Sequence, residues 1–62
     1  DEYEMEYRLA GLYFLTDDVT KGNLHLMNGM KLNLKQLTLF QELFPVVWER
    51  TEVQKTIMKF KK

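Results

Sequence analysis

Apolar and polar residues change rhythm twice along the chain. At the start, Tyr3, Met5, Tyr7 and Leu9 alternate with Glu4, Glu6 and Arg8. A period of two with aromatic content predicts a half-buried strand. Leu12-Tyr13-Phe14-Leu15 is apolar on both faces, and Gly11 lies between the two segments. Ala10-Gly11 makes a poor two-residue hairpin, because the first residue of such a turn needs positive φ. One long strand from about Glu2 to Thr16, bent or bulged at Gly11, is therefore expected, with two strands as the alternative. Asp17 to Asn23 is polar and reads as a turn. Leu24 to Met27 follows as a strand, Asn28-Gly29 is a strong type I′ hairpin signal, and Met30 to Asn33 is the return strand.

Helical spacing then takes over. Asn33 is a good N-cap. Leu34, Leu37, Leu39, Phe40, Leu43, Phe44, Val46, Val47 and Trp48 spread over roughly two-thirds of a helix circumference. Pro45 interrupts them, since it lacks the amide proton for Gln41 and disfavours α geometry at Phe44. Thr51-Glu52-Val53-Gln54 reads as a capping box, and Val53, Thr56, Ile57 and Phe60 form a narrow stripe. Lys59, Lys61 and Lys62 suit the negative end of the helix dipole. A second helical segment is expected from about Glu52 to Lys61. The predicted class is α+β: one domain, 1–62, with a small antiparallel sheet of about three or four strands, followed by a C-terminal helix kinked or broken near Pro45.

Composition adds a second expectation. The chain has 62 residues with no cysteine, so neither a disulfide nor a Cys-based zinc site staples it. It carries one Trp, three Tyr, four Phe and four Met, more apolar surface than so small a domain hides alone. One sheet covers little more than a third of a helix. Leu37, Phe40, Phe44, Val47 and Trp48 are therefore expected to serve as core and as the seam of a homodimer. No apolar run approaches the ~18 residues of a membrane span, and no signal peptide is visible, so no membrane partner is expected. An intracellular setting suits the absence of cysteine. The chain opens on Asp1 without a methionine, as a processed or trimmed product would.

Net charge is zero, but Asp1, Glu2, Glu4 and Glu6 crowd the start, while Arg50, Lys55, Lys59, Lys61 and Lys62 crowd the end. No overall basic excess points to nucleic acid. Catalytic chemistry is poorly served. Serine and cysteine are absent, and His25 is the single histidine, with no acid at a fixed spacing to orient it. Asp17 and Asp18 adjoin in a turn without an EF-hand pattern, and three scattered glycines match no phosphate loop. No enzyme activity, metal or cofactor is expected. Tyr3, Tyr7 and Tyr13 share one face of the long strand, where rings stack on unpaired bases or pack under the helix.

Gly29-Met30-Lys31-Leu32-Asn33-Leu34-Lys35-Gln36-Leu37 resembles the sheet-to-helix junction of the positive-cofactor-four family: glycine, apolar, any, leucine, serine or asparagine, two residues, glutamine, then usually tryptophan. Those proteins are small transcriptional coactivators that bind single-stranded DNA. The resemblance implies a curved antiparallel sheet, a helix that pairs two copies, and sheet ridges that hold an unpaired strand. It spans mainly Leu24 to Phe44. Leu37 stands where the family has tryptophan, and the basic residues of its first strands and turn are few here. By position, Arg8, Lys21, His25 and Lys31, with Tyr13 for stacking, would carry nucleic-acid binding. A rival resemblance, Met30-Lys31-Leu32-Asn33 before a helix and Arg50-Thr51-Glu52-Val53 after it, is to ribbon-helix-helix repressors of duplex DNA. A third reading, favoured by zero net charge and the acidic start, is a protein-interaction or inhibitor subunit docking through its apolar helix.

Overall fold

A computed structural model describes all 62 residues. It is helical from end to end. Helix α1 spans Glu2–Leu15 and α2 spans Val19–Leu32. A 3₁₀ turn, Leu34–Gln36, leads into α3, Leu37–Leu43. Two further helices follow, α4 at Pro45–Trp48 and α5 at Thr51–Lys61. The α+β expectation is thus overturned, since no strand or sheet forms anywhere.

The first misreading is over residues 2–16. Their period of two also contains a helical set, because Tyr3, Tyr7, Ala10 and Phe14 fall at spacings of three and four. Glu, Met, Arg, Leu and Ala are good helix formers, and Glu2 and Glu4 favour the positive end of a helix dipole. Glu4 also pairs with Arg8 one turn on, at 3.1 Å. Tyr7, Ala10, Gly11 and Phe14 form the buried side of α1.

The second misreading is Asn28-Gly29, which lies inside α2 and turns nothing. No glycine in the chain has positive φ. The glycines instead provide space. A Cβ on Gly29 would lie 2.7 Å from the Tyr7 ring, and one on Gly22 would lie 3.0 Å from the Phe14 ring. Tyr7 and Phe14 are two turns apart on α1, and Gly22 and Gly29 two turns apart on α2. The two helices are therefore antiparallel, with Ala10 and Leu26 buried between the two ring-on-glycine contacts. With Met30–Leu32 helical, both the sheet-to-helix junction and the DNA-reading ribbon have no counterpart.

The true turn is shorter than the polar stretch. Asp17 stands at φ 62°, and its amide donates to the Phe14 carbonyl while that of Asp18 donates to Tyr13. This is a Schellman closure of α1 with aspartate in the left-handed position. The Asp18 side chain then accepts from the Lys21 amide and starts α2.

The C-terminal half folds over this hairpin. Phe44 leaves helical geometry (φ −132°, ψ 65°), and Pro45 opens α4 at its first position. The break falls at Pro45, where the sequence places it, and has a use in packing. It turns the Phe44 ring onto the backbone of Gly11, the third aromatic seated on a glycine. The buried Phe40 is the hub of an aromatic chain, with ring centroids 6.2 Å from Tyr7, 5.8 Å from Phe44 and 6.3 Å from Trp48. Helix α5 buries Val53 and Ile57 and lies along α2, where Thr56 donates to Asn23 Oδ1 at 2.8 Å. The capping box does not form. Arg50 occupies the N-cap without a side-chain cap, and Gln54 donates to the Trp48 carbonyl. Arg50 Nη1 donates to the Phe14 carbonyl at 2.7 Å, a charge-assisted bond at the negative end of α1.

Gly29→Ala separates the helical account from the hairpin one. An alanine gains ~1 kcal/mol of helix propensity. Here it collides with a fully buried ring, and such overpacking costs ~1–3 kcal/mol. Net destabilisation is expected in urea unfolding. Gly11→Ala should cost less, because Phe44 is only half buried and can swing outward. A Gly29→Ala protein more stable than the parent would contradict the close approach.

Candidate docking surfaces

The groove between α1 and α2 on the side of Glu6 carries a row of polar and aromatic groups. Lys21 Nζ sits 5.5 Å from the centroid of the Tyr13 ring. Tyr13 stacks on His25 at 5.4 Å between centroids, with their planes 11° apart. His25 Nδ1 lies 3.0 Å from Glu6 Oε1, which also accepts a 2.8 Å bond from Asn28. The helical spacing of Lys21, His25 and Asn28 on α2 aligns this row. Burial raises the pKa of the Glu6 carboxyl, but hydrogen bonds from His25 and Asn28, with the charge of His25, outweigh it. The net pKa falls below 4.5.

Three of the five residues assigned to nucleic acid, Tyr13, Lys21 and His25, thus come together. Lys31 lies further along, around a hollow with Glu2, Glu6, Asn28 and Leu32. Arg8 is elsewhere, bound to Glu4 on the exposed part of α1. The assembled three are engaged with one another, and carboxylates line the hollow beside Lys31. An aromatic platform on an open sheet is absent.

The five residues expected as core and seam are found in the core. Leu37, Phe40 and Val47 are buried in the chain's own core, and Phe44 and Trp48 are packed against it. The exposed apolar side chains lie outside those five, Val46 on α4 at 74%, Leu32 and Leu34 among them. Met5, Leu12 and Leu15 on α1 are 65%, 54% and 52% exposed, and Leu9 between them is half buried. Leu24 on α2 and Met58 on α5 are exposed as well. Strand periodicity over residues 2–16 conceals the α1 stripe. On a helical projection, Met5, Leu9 and Leu12 share a face opposite Tyr7 and Phe14.

Tyr7 is the other polar group tied into the core. Its hydroxyl donates to the Asn33 carbonyl at the end of α2, at 2.8 Å, and burial raises its pKa to about 12. Every buried side-chain nitrogen and oxygen has a hydrogen-bond partner. No group of three His, Cys, Asp or Glu side chains stands close enough to hold a metal ion, and no helix is long and apolar enough to cross a membrane. No protein-family model matches the chain, and no match was found among curated proteins or solved structures.

These two groups set opposite limits on stability. The lowered Glu6 value contributes stability that is present above the ordinary carboxylate pKa and lost as pH falls through the folded one. The raised Tyr7 value contributes stability present below pH 10 and lost as pH rises toward about 12. Glu6→Gln should flatten the acid limb of a stability–pH curve, and Tyr7→Phe the alkaline limb. Unchanged limbs in both variants would show that neither contact holds the helices together.

Proposed function

We propose that the chain is a non-catalytic protein-interaction module whose working surface is the outer face of α1, and that a second copy pairs on it. The exposure of Met5, Leu12 and Leu15 carries this reading. An amphipathic surface helix turns such residues inward, whereas α1 is apolar on both sides and only one side is covered. The arrangement suits an antiparallel α1–α1 contact, with Met5 of each copy against Leu12 of the other and Leu9 near the two-fold axis. Glu2 and Glu4 then lie at opposite ends of the seam from their counterparts, so the acidic ends do not meet. The single histidine is occupied by Glu6 and Tyr13, and no unpartnered buried polar atom points into a hollow.

Single-stranded nucleic acid is the weaker reading, because the sheet it relied on is absent and Tyr13 already has His25 as its stacking partner.

Sedimentation across a concentration series tests the pairing. The parent chain should dimerise, and Leu12→Glu should remain folded by circular dichroism and sediment as a monomer. A parent chain monomeric at every concentration, or a Leu12→Glu protein that pairs as well as the parent, would sink the α1 seam.

A further inference from the structure

The groove between α2 and α5 has a different chemistry from the rest of the surface. Helix α5 runs in the same direction as α2, tied to it by the Thr56–Asn23 bond. Beyond that bond the two helices leave a hollow lined by Asn23, Met27, Thr56, Lys59 and Phe60. Its apolar lining is Met27 and Phe60, and the exposed Leu24 lies on the same helix as Met27, three residues before it. Lys59 also borders a second hollow, on the outer face of α5, with Lys55, Met58 and Lys62. No carboxylate lines either one. None of Lys55, Lys59, Lys61 or Lys62 makes an ion pair within the chain, whereas Lys21, Arg8 and Arg50 each do.

We infer that this groove docks an acidic amphipathic helix from a partner protein, with apolar side chains on Met27 and Phe60 and carboxylates along Lys55, Lys59 and Lys62. The inference rests on the interaction-module reading and supplies its second surface, since α1 takes no part in the groove. Charge complementarity selects this occupant. The lysines repeat at spacings of three and four residues, so they present one continuous row to a helix lying alongside. Unpaired lysines beside a desolvated apolar contact favour carboxylates and penalise basic partners. A lipid surface is disfavoured because the outer face of α5 offers Met58 alone where an interfacial helix carries a broad apolar face. Nucleic acid is disfavoured because Phe60 is the one aromatic beside these lysines, and it is partly buried against the core.

Fluorescence anisotropy on the full chain tests it, with a labelled amphipathic helical peptide of leucine and glutamate as the probe. Its counterpart with lysine in place of glutamate serves as the control. The Leu/Glu peptide should bind, and more weakly as salt rises. Lys59→Glu should weaken it about tenfold or more, equivalent to ~1.4 kcal/mol. Lys55→Glu with Lys62→Glu should do likewise at positions exposed enough to leave the fold intact. Leu12→Glu should leave peptide binding unchanged, because the groove lies apart from the α1 seam. Failure of the Leu/Glu peptide to bind at low salt, or equal binding of its lysine counterpart, overturns the groove alone if α1-dependent pairing persists; loss of pairing as well overturns the module reading. Tighter binding of an oligonucleotide or of phosphatidylserine vesicles, abolished by the same lysine substitutions, overturns the choice of a protein helix.

Discussion

Three aromatic rings rest on three glycines, and the rest of the molecule depends on that contact. Tyr7 on Gly29 and Phe14 on Gly22 bring α1 and α2 close enough for Ala10 and Leu26 to fill the remaining space. Phe44 on Gly11 then fixes where the second half of the chain meets the first. A glycine inside a helix is unfavourable by ~0.5–1 kcal/mol relative to alanine. The chain accepts that cost three times, and each time a large ring gains a close seat. For a domain this short, ring burial is the strongest stabilisation available, because a single small core otherwise supplies little.

From those seats the two functional surfaces follow. Clamping α1 by its Tyr7–Phe14 side leaves Met5, Leu9 and Leu12 pointing away from the core. The Arg50 side chain reaches across to the last turn of α1 and holds the start of α5 near the α1–α2 turn. Helix α5 then lies along α2 and projects its lysines from the far end. Acidic residues begin α1 and basic residues end α5, each at the helix end where the dipole favours them. Zero net charge therefore conceals two surfaces of opposite character, one apolar with an acidic end and one basic with an apolar floor.

The helical spacing after Asn33 and the break at Pro45 could be read from the chain, but not the caps at Asn33 and Thr51, and the first half could not. Pro45 marked its break because proline has only one way to enter a helix cheaply. Val53, Ile57 and Phe60 marked α5 because no strand pattern competes with their spacing. In residues 2–16 the two periodicities coincide at Tyr3 and Tyr7, and alternating glutamates strengthened the wrong one. Asn28-Gly29 failed for another reason. It is a turn signal only when the chain around it is free to turn, and here Gly29 is required as the seat for a ring more than twenty residues away in sequence. Helix propensity and a tertiary contact overrode a local rule. Of the proposed site residues, Lys21 and His25 are aligned by helical spacing on α2, and Tyr13 meets them across the α1–α2 contact. The α1 stripe was hidden by the same error that hid α1.

The most direct test is a proton NMR measurement on the glycines. With Tyr7 over Gly29 and Phe14 over Gly22, the glycine α-protons lie against aromatic faces. They should be shifted upfield by ring currents, with Overhauser contacts to the Tyr7 and Phe14 ring protons and helical carbon shifts from Val19 to Leu32. Unshifted glycines within a run of strand-like carbon shifts around Asn28 would contradict the helical hairpin and every surface derived from it.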